Sequence, residues 1–163
     1  MKFIFKNVIV LFAIYNFNNC TSKKITNITN YDFETECMGI ELDGSHTLKA
    51  WGKGSNYLDA STQAKKNAVR DIIFKGISKG ASSCNKDPLI VGPRAETRHE
   101  DYFYKFFVDG GDYQKYVSLK EKKLIKKNKR DKKKQTVSVT TMIVVTINRN
   151  DLKQRLKADL INN

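Results

Sequence analysis

The segment HTLKAWGKGSNYLDASTQAKKNAVRDIIFKGI, residues 46–77, carries the strongest secondary-structure signals of the chain. Its first six residues alternate polar and apolar side chains, which predicts a half-buried strand. Gly52, Lys53 and Gly54 end that strand, and Ser55 or Asn56 is placed to cap a helix. Apolar residues recurring mostly every fourth position predict a helix over 57–79, with Gly80 as its stop. A strand followed by an amphipathic helix favours helix-on-sheet packing.

On the amino-terminal side, residues 33–42 read as another strand. Asp43 and Gly44 follow, and this pair is typical of a hairpin turn. On the other side, residues 88–91 indicate a short strand or extended segment, and residues 96–108 predict a second helix with its aromatic side chains on one side. The run Asp-Gly-Gly-Asp at 109–112 breaks that helix.

The carboxy-terminal part predicts two long strands, over 113–125 and 136–147. In the second, the residues at odd positions from Val137 to Ile147 share one face. Asn148 or Asn150 then caps a closing helix over 151–161, with leucines at every fourth position. The predicted fold is therefore α+β: one domain over residues 32–163, with helices packed on a mixed or antiparallel sheet, one long carboxy-terminal hairpin and a closing helix.

Composition agrees with one domain. The chain has 163 residues, of which 40% are hydrophobic, and a formal net charge of +13. That length suits one ordinary domain, and the apolar fraction is too high for wholesale disorder. Three cysteines and two histidines leave little material for a four-ligand zinc site, so no metal or other cofactor is predicted.

The amino terminus is typical of a bacterial lipoprotein signal. Lys2 and Lys6 precede a short apolar run that is too short to span a bilayer, and Cys20 follows where cleavage is expected. Residues 1–19 are thus predicted to be removed, Cys20 to carry lipid, and residues 20–31 to form a tether. The residues before Cys20, Phe-Asn-Asn, depart from the usual aliphatic and small pattern. A soluble exported protein cleaved elsewhere and an uncleaved amino-terminal anchor are the alternatives.

The remaining cysteines, Cys37 and Cys84, form an even pair, which in an oxidising compartment favours one disulfide. Two unrelated buried thiols are the alternative. The sequence contains no CxxC pair, and no basic residue lies beside Cys37 or Cys84. A catalytic thiol is therefore not predicted.

The least ordinary feature is a basic segment at 120–134, which holds ten Lys or Arg residues and two acids and so has a net charge of +8. The candidate contact residues are Lys122, Lys123, Lys126, Lys127, Lys129, Arg130, Lys132, Lys133 and Lys134. Anionic lipid headgroups, envelope polysaccharides and an acidic protein are possible partners. Nucleic acid is not predicted, since the segment has no interleaved aromatics for base stacking. A solvated arm without a partner is the alternative.

Other constellations favour structural roles. Gly52 and Gly54 lack the third glycine of a dinucleotide fingerprint. The aromatic residues at 102–107 suit a core better than a carbohydrate platform. His46 and His99 are far apart in sequence, and no Ser-His-Asp, paired-carboxylate or metal-ligand pattern stands out. The sequence therefore predicts a non-catalytic protein.

Two resemblances support this reading. LKAWGKG and DASTQAKKNAVRDIIFKGI, within residues 46–77, resemble the amino-terminal domain of the flagellar ring protein FlgT and its small outer-membrane lipoprotein relatives. CMGIELDG, KKNAVRDIIFKGI, DYFYKFFVDGGDY and VVTINRNDLKQRL, spread over residues 37–160, are similar to an uncharacterised family of Bacteroidota lipoproteins. The resemblance implies an accessory or scaffold domain of an envelope complex. Its anchor would lie in the outer membrane or alternatively the inner one, with the domain in the periplasm or at the cell surface. Neither family implies a catalytic residue.

Overall fold

A five-stranded sheet organises the part of the chain that the computed structural model describes, residues 34–131 and 136–161, with side chains at 34–121 and 138–160. The strands are β1 (Glu36–Ile40), β2 (His46–Gly54), β3 (Lys79–Gly80), β4 (Val117–Asp131) and β5 (Thr136–Ile147). Their order is β3-β1-β2-β5-β4, with β1 and β3 parallel and the other neighbours antiparallel. The sheet is mixed, which confirms the α+β prediction.

In the described part of the chain, four α-helices accompany the sheet: α1 (Tyr57–Arg70), α2 (Ala95–Arg98), α3 (Glu100–Phe107) and α4 (Arg149–Ile161). The Asn56 side chain accepts a hydrogen bond from the Asp59 N–H at 2.9 Å and caps α1. The Asn148 side chain accepts one from the Asp151 N–H at 3.1 Å and caps α4. Each asparagine satisfies an amide that the first helical turn leaves without a partner. Of the two cap residues predicted for each helix, Asn56 rather than Ser55 caps α1, and Asn148 rather than Asn150 caps α4.

One face of the sheet packs against the helices. Leu48, Ile143 and Val145 are fully buried there against the small residues Ala64 and Ala68 of α1, in a single hydrophobic cluster. Small side chains on α1 bring the helix close to the strands. Met142 and Val144, which alternate with the core residues of β5, are also buried but lie outside that cluster.

The aromatic run of α3 belongs to the same core. Phe103, Phe106 and Phe107 are buried, and the rings of Phe106 and Phe107 meet edge to face at 5.0 Å. Tyr104, in contrast, is 58% exposed. The preference for a core over a carbohydrate platform is consistent with this burial. Leu152 and Leu156 of α4 are buried as well, as the leucine spacing predicts.

The predicted end of the first helix is wrong. After α1 the chain forms a π-helical turn, Asp71–Lys75, and stops at Gly76 rather than at Gly80. Gly76 has a φ of +77°, and its N–H donates to the Asp71 carbonyl at 2.7 Å. A left-handed glycine ends a helix because other residues adopt that conformation at a cost. Gly80 instead lies in β3 against the backbone of Cys37, where a side chain would not fit.

Three other boundaries differ. Of the two alternatives predicted for residues 88–91, the strand does not form. The N–H groups of Leu89 and Ile90 donate to the carbonyls of Ile72 and Ile73, so the end of the helix supplies their partners. The predicted helix over 96–108 is two helices, α2 and α3, separated at His99, whose φ and ψ of −124° and 41° are not helical. The strand predicted from residue 113 begins with a 3-10 turn, Asp112–Tyr116, so that β4 starts at Val117.

Candidate interaction surface on the β4–β5 hairpin

The basic segment of the sequence falls on β4, which lies at one edge of the sheet. We call residues 120–131 of this strand the basic arm. It holds seven Lys or Arg residues and two acids, a net charge of +5. Among the described strands β4 pairs only with β5, so one side of its backbone has no strand neighbour there. Lysines on an edge strand also discourage unwanted strand pairing, which is the structural explanation for part of this charge.

The hairpin is longer than the sheet that supports it. Pairing of β2 with β5 ends where Gly54 meets Val139, whereas β4 and β5 stay paired as far as Asp131 and Thr136. Three β5 residues, 136–138, therefore continue past the last β2 pair, a projection of about 10 Å at the usual rise per strand residue. The arm thus combines an open strand edge with a projecting end.

Two irregularities interrupt the pairing of β4. One residue of β4 is extra between Leu119 and Glu121, and the register shifts again between Lys123 and Lys127. In the second shift, residues 124–126 stand opposite Thr141 alone, since Lys123 pairs with Met142 and Lys127 with Thr140. Bulges of this kind bend a strand and break the regular ladder. The arm is therefore an irregular edge rather than a uniform template for another strand.

Lys120, at the first bulge, is tied into the fold. Its ammonium group forms an ion pair and hydrogen bond with the Glu41 carboxylate, which also accepts a hydrogen bond from the Thr47 hydroxyl. The hydrogen bonds from Lys120 and Thr47 hold the pKa of Glu41 below its ordinary value. This contact joins the base of the arm to the turn after β1.

The predicted disulfide is present. The sulfur atoms of Cys37 in β1 and Cys84 in the following loop are 2.03 Å apart, and both residues are buried in the core. The bridge lies at the opposite edge of the sheet from β4, where it fixes the loop around β3 to β1. Cys20, Lys132, Lys133 and Lys134 lie outside the described residues. The structure describes only the backbone of Lys122, Lys123, Lys126, Lys127, Lys129 and Arg130, so the lipidation and the contact role of the whole basic segment stay predictions.

Sequence reasoning did not anticipate that three ionisable side chains, those of His46, Asp71 and Arg149, are buried. The Asp71 carboxylate is buried at the start of the π-helical turn and accepts a hydrogen bond from the Thr35 hydroxyl. His46 is 4% exposed, and its Nδ1 has no partner in the described part of the chain. Arg149 is buried too and donates to the Asp87 carbonyl at 2.7 Å. For Asp71, the sequence offers one signal of burial, since this charged residue directly precedes two isoleucines.

Asp71, His46 and Arg149 lie on three different elements, the π-helical turn, β2 and α4. No cluster of three or more His, Cys, Asp or Glu side chains suited to a metal occurs in residues 34–131 and 136–161. A shallow groove of about 430 Å³ runs between residues 97–102 and Leu160, and the Tyr102 hydroxyl beside it donates to Asp159 at 2.7 Å. Burial and the Asp159 carboxylate raise the pKa of Tyr102, so its hydroxyl is held as a proton donor. That contact fastens α3 to α4.

Within the described residues, no helix has the length and apolar character needed to cross a bilayer. Comparison of the chain with family models, with curated proteins and with solved structures returns no match.

Proposed function

We propose that this chain is a non-catalytic lipoprotein of the bacterial envelope, attached to the membrane through Cys20, and that it acts as a scaffold or accessory subunit of an envelope complex. The support is a short apolar leader, a cysteine at its end and a polar tether before the domain. The outer membrane is the proposed location and the inner membrane the alternative. The contact surfaces would be the open edge of β4 and the hairpin.

The observation that carries the proposal is the bridge between Cys37 and Cys84. Disulfides persist outside the reducing cytosol, in the bacterial periplasm and at the cell surface. The bridge is buried and holds an edge of the sheet in place, as expected of a structural disulfide and not of a redox-active one. A leader followed by a disulfide-containing domain is consistent with export.

Metabolic labelling with an alkyne fatty acid tests the anchor. Cells that express the whole chain should incorporate the label, and Cys20→Ser should abolish it. Cys84→Ser is the matched control, because it also removes one sulfur but leaves the proposed attachment site. Labelling that survives Cys20→Ser, or that is absent from the natural chain, would refute the lipid anchor.

A second candidate function is favoured by the basic arm: binding of anionic envelope polymers or lipid headgroups. The charge of +5 over residues 120–131, on a projecting strand edge, suits a polyanion. Binding to dextran sulfate should fall steeply as salt rises, because salt screens exposed charges. An apolar protein interface would respond little to salt.

Charge removal separates the arm from the general positive charge of the chain. Replacing Lys122, Lys123, Lys126 and Lys127 by Gln should weaken the dextran sulfate complex. The control replaces Lys86, Lys105, Lys153 and Lys157, which are all exposed and lie elsewhere, and removes the same charge. Equal losses in the two variants, or none in either, would show that the arm is only a solvated part of the surface.

A further inference from the structure

β1 starts toward the same end of the sheet as the projecting hairpin of β4 and β5. Glu36, the first residue of β1, pairs with Lys49, and the later residue Ile40 pairs with His46. The start of β1 therefore points toward the Gly54 end of β2, and this is the end where β5 arrives from the hairpin. The point where the chain enters the sheet and the projecting hairpin thus lie toward the same end.

The segment between Cys20 and β1 is long enough for an anchor at Cys20 and the basic arm to reach the same bilayer. Cys20 and Glu36 are 16 residues apart, a reach of about 53 Å when extended. The second bulge lies level with Gly52, only three residues along β2 from Lys49, or about 10 Å. Three strand spacings across the sheet add about 14 Å. An anchor at Cys20 leaves ample chain for the arm to touch the same surface.

The second bulge carries the arm's only apolar residues. Within residues 120–131, every residue except Leu124 and Ile125 is charged or polar, and these two fall in the stretch that stands opposite Thr141 alone. An apolar pair at an irregular strand edge, flanked by Lys122, Lys123, Lys126 and Lys127, matches the chemistry of a surface with anionic headgroups above acyl chains.

We propose that the basic arm lies on an anionic lipid bilayer, with its lysines at the headgroups and Leu124 and Ile125 entering the boundary with the acyl chains. The identity of that bilayer as the membrane holding the anchor rests on the proposed lipidation of Cys20. An acidic protein with an apolar patch would attract the same residues, and it is the alternative outcome of the test below. The arm would then hold the sheet edge against the membrane and set the orientation of the domain.

A label at the bulge tests this directly. The full chain carrying Leu124→Cys, with an environment-sensitive fluorophore on that thiol, is reconstituted into phosphatidylcholine vesicles with and without phosphatidylglycerol. Asn128→Cys, which lies in the regular ladder of the same strand, is the comparison position. We expect a blue shift and quenching by brominated acyl chains at position 124 in the anionic vesicles only, with a smaller response at position 128.

Charge variants make the result specific. Each Lys→Gln change among Lys122, Lys123, Lys126 and Lys127 should lower the equilibrium constant for docking of the arm about fivefold. Replacing all four by Arg should preserve docking, and so should the exposed control set Lys86, Lys105, Lys153 and Lys157→Gln. The Arg variant also shows that a loss in the Gln variant reflects charge rather than a damaged hairpin.

The results of this experiment distinguish a failure of the arm proposal from a failure of the proposed lipidation of Cys20. Insertion at position 124 that persists in Cys20→Ser, a chain with no acylation site and no second free thiol, would support the arm independently of the lipidation. An acylated chain with no response at position 124, or with an equal response on neutral vesicles, would overturn the arm proposal alone. Crosslinking of a position-124 probe to an acidic protein, without any response to vesicles, would overturn it in favour of a protein partner.

Discussion

Gly52 of β2 lies against Ala60 of α1 so closely that a Cβ on the glycine would overlap the Ala60 carbonyl oxygen. The backbone nitrogen of Ala64 is equally near that position. The two glycines at the end of β2 therefore set the distance between strand and helix. This packing role accounts for a pattern that superficially resembles part of a nucleotide-binding loop.

Gly52→Ala should lower the free energy of unfolding by at least about 2 kcal/mol, because backbone atoms in a packed layer cannot yield to a new methyl group. Urea denaturation followed by circular dichroism measures the change. Lys53→Ala, at the exposed neighbouring position of the same strand, should change the stability little. Similar effects of the two substitutions would contradict the packing argument.

The disulfide between Cys37 and Cys84 closes a loop with a sequence separation of 47 residues. Reduction should lower the free energy of unfolding by about 4 kcal/mol, since the open chain gains conformational entropy when it unfolds. Urea denaturation with and without a reductant checks this value. The double variant Cys37→Ala and Cys84→Ala should be insensitive to the reductant, and a chain equally stable in both states would count against the bridge as a stabilising element.

Asp71 should produce a pH dependence of stability. Burial raises its pKa, although the hydrogen bond from Thr35 and the charge of Lys75 partly oppose the shift. From the ordinary Asp pKa of about 3.9 up to the raised value, the folded chain holds a proton that the unfolded chain has lost. Stability from this group therefore falls as the pH rises through that window. Asp71→Asn should lack the fall, as seen in urea midpoints measured across pH, and parallel profiles would refute the assignment.

His46 should act in the opposite pH direction. Burial and the positive charge of Arg149 lower its pKa, so the fold favours the neutral imidazole. As the pH falls below the ordinary His pKa of about 6.5, the unfolded chain takes up a proton first, and stability is lost down to the lowered value. Thermal melting across this range should show the loss in the natural chain and in His99→Gln but not in His46→Leu. Persistence of the loss in His46→Leu would place its origin elsewhere.

Much of the fold follows from local sequence rules. Alternation at odd positions marks the core face of β5, a turn-forming pair marks the β1–β2 hairpin, and Asn56 and Asn148 mark two helix starts. These features depend on neighbours in sequence, so the sequence is sufficient to predict them. The pairing of Cys37 with Cys84 follows from the same source, because only two cysteines remain once Cys20 is assigned to the anchor.

Features that depend on tertiary contacts could not be predicted. The helix ends at Gly76, and the carbonyls of Ile72 and Ile73 in its last turn accept hydrogen bonds from Leu89 and Ile90 of a later loop. The two-residue strand β3 has no pattern of its own and exists through its pairing with β1. Arg149 has the sequence surroundings of a surface residue, and only packing shows that it is buried. In the arm, composition predicts the charge, whereas the bulge at residues 124–126 depends on register with β5.

The intact mass of the protein from the native membrane fraction, before and after reduction and thiol labelling, tests the lipid anchor and the disulfide together. We expect a chain that begins at Cys20 and carries acyl groups, with the thiols of Cys37 and Cys84 labelled only after reduction. A mass without lipid, or labelling of all three cysteines without reduction, would contradict this expectation.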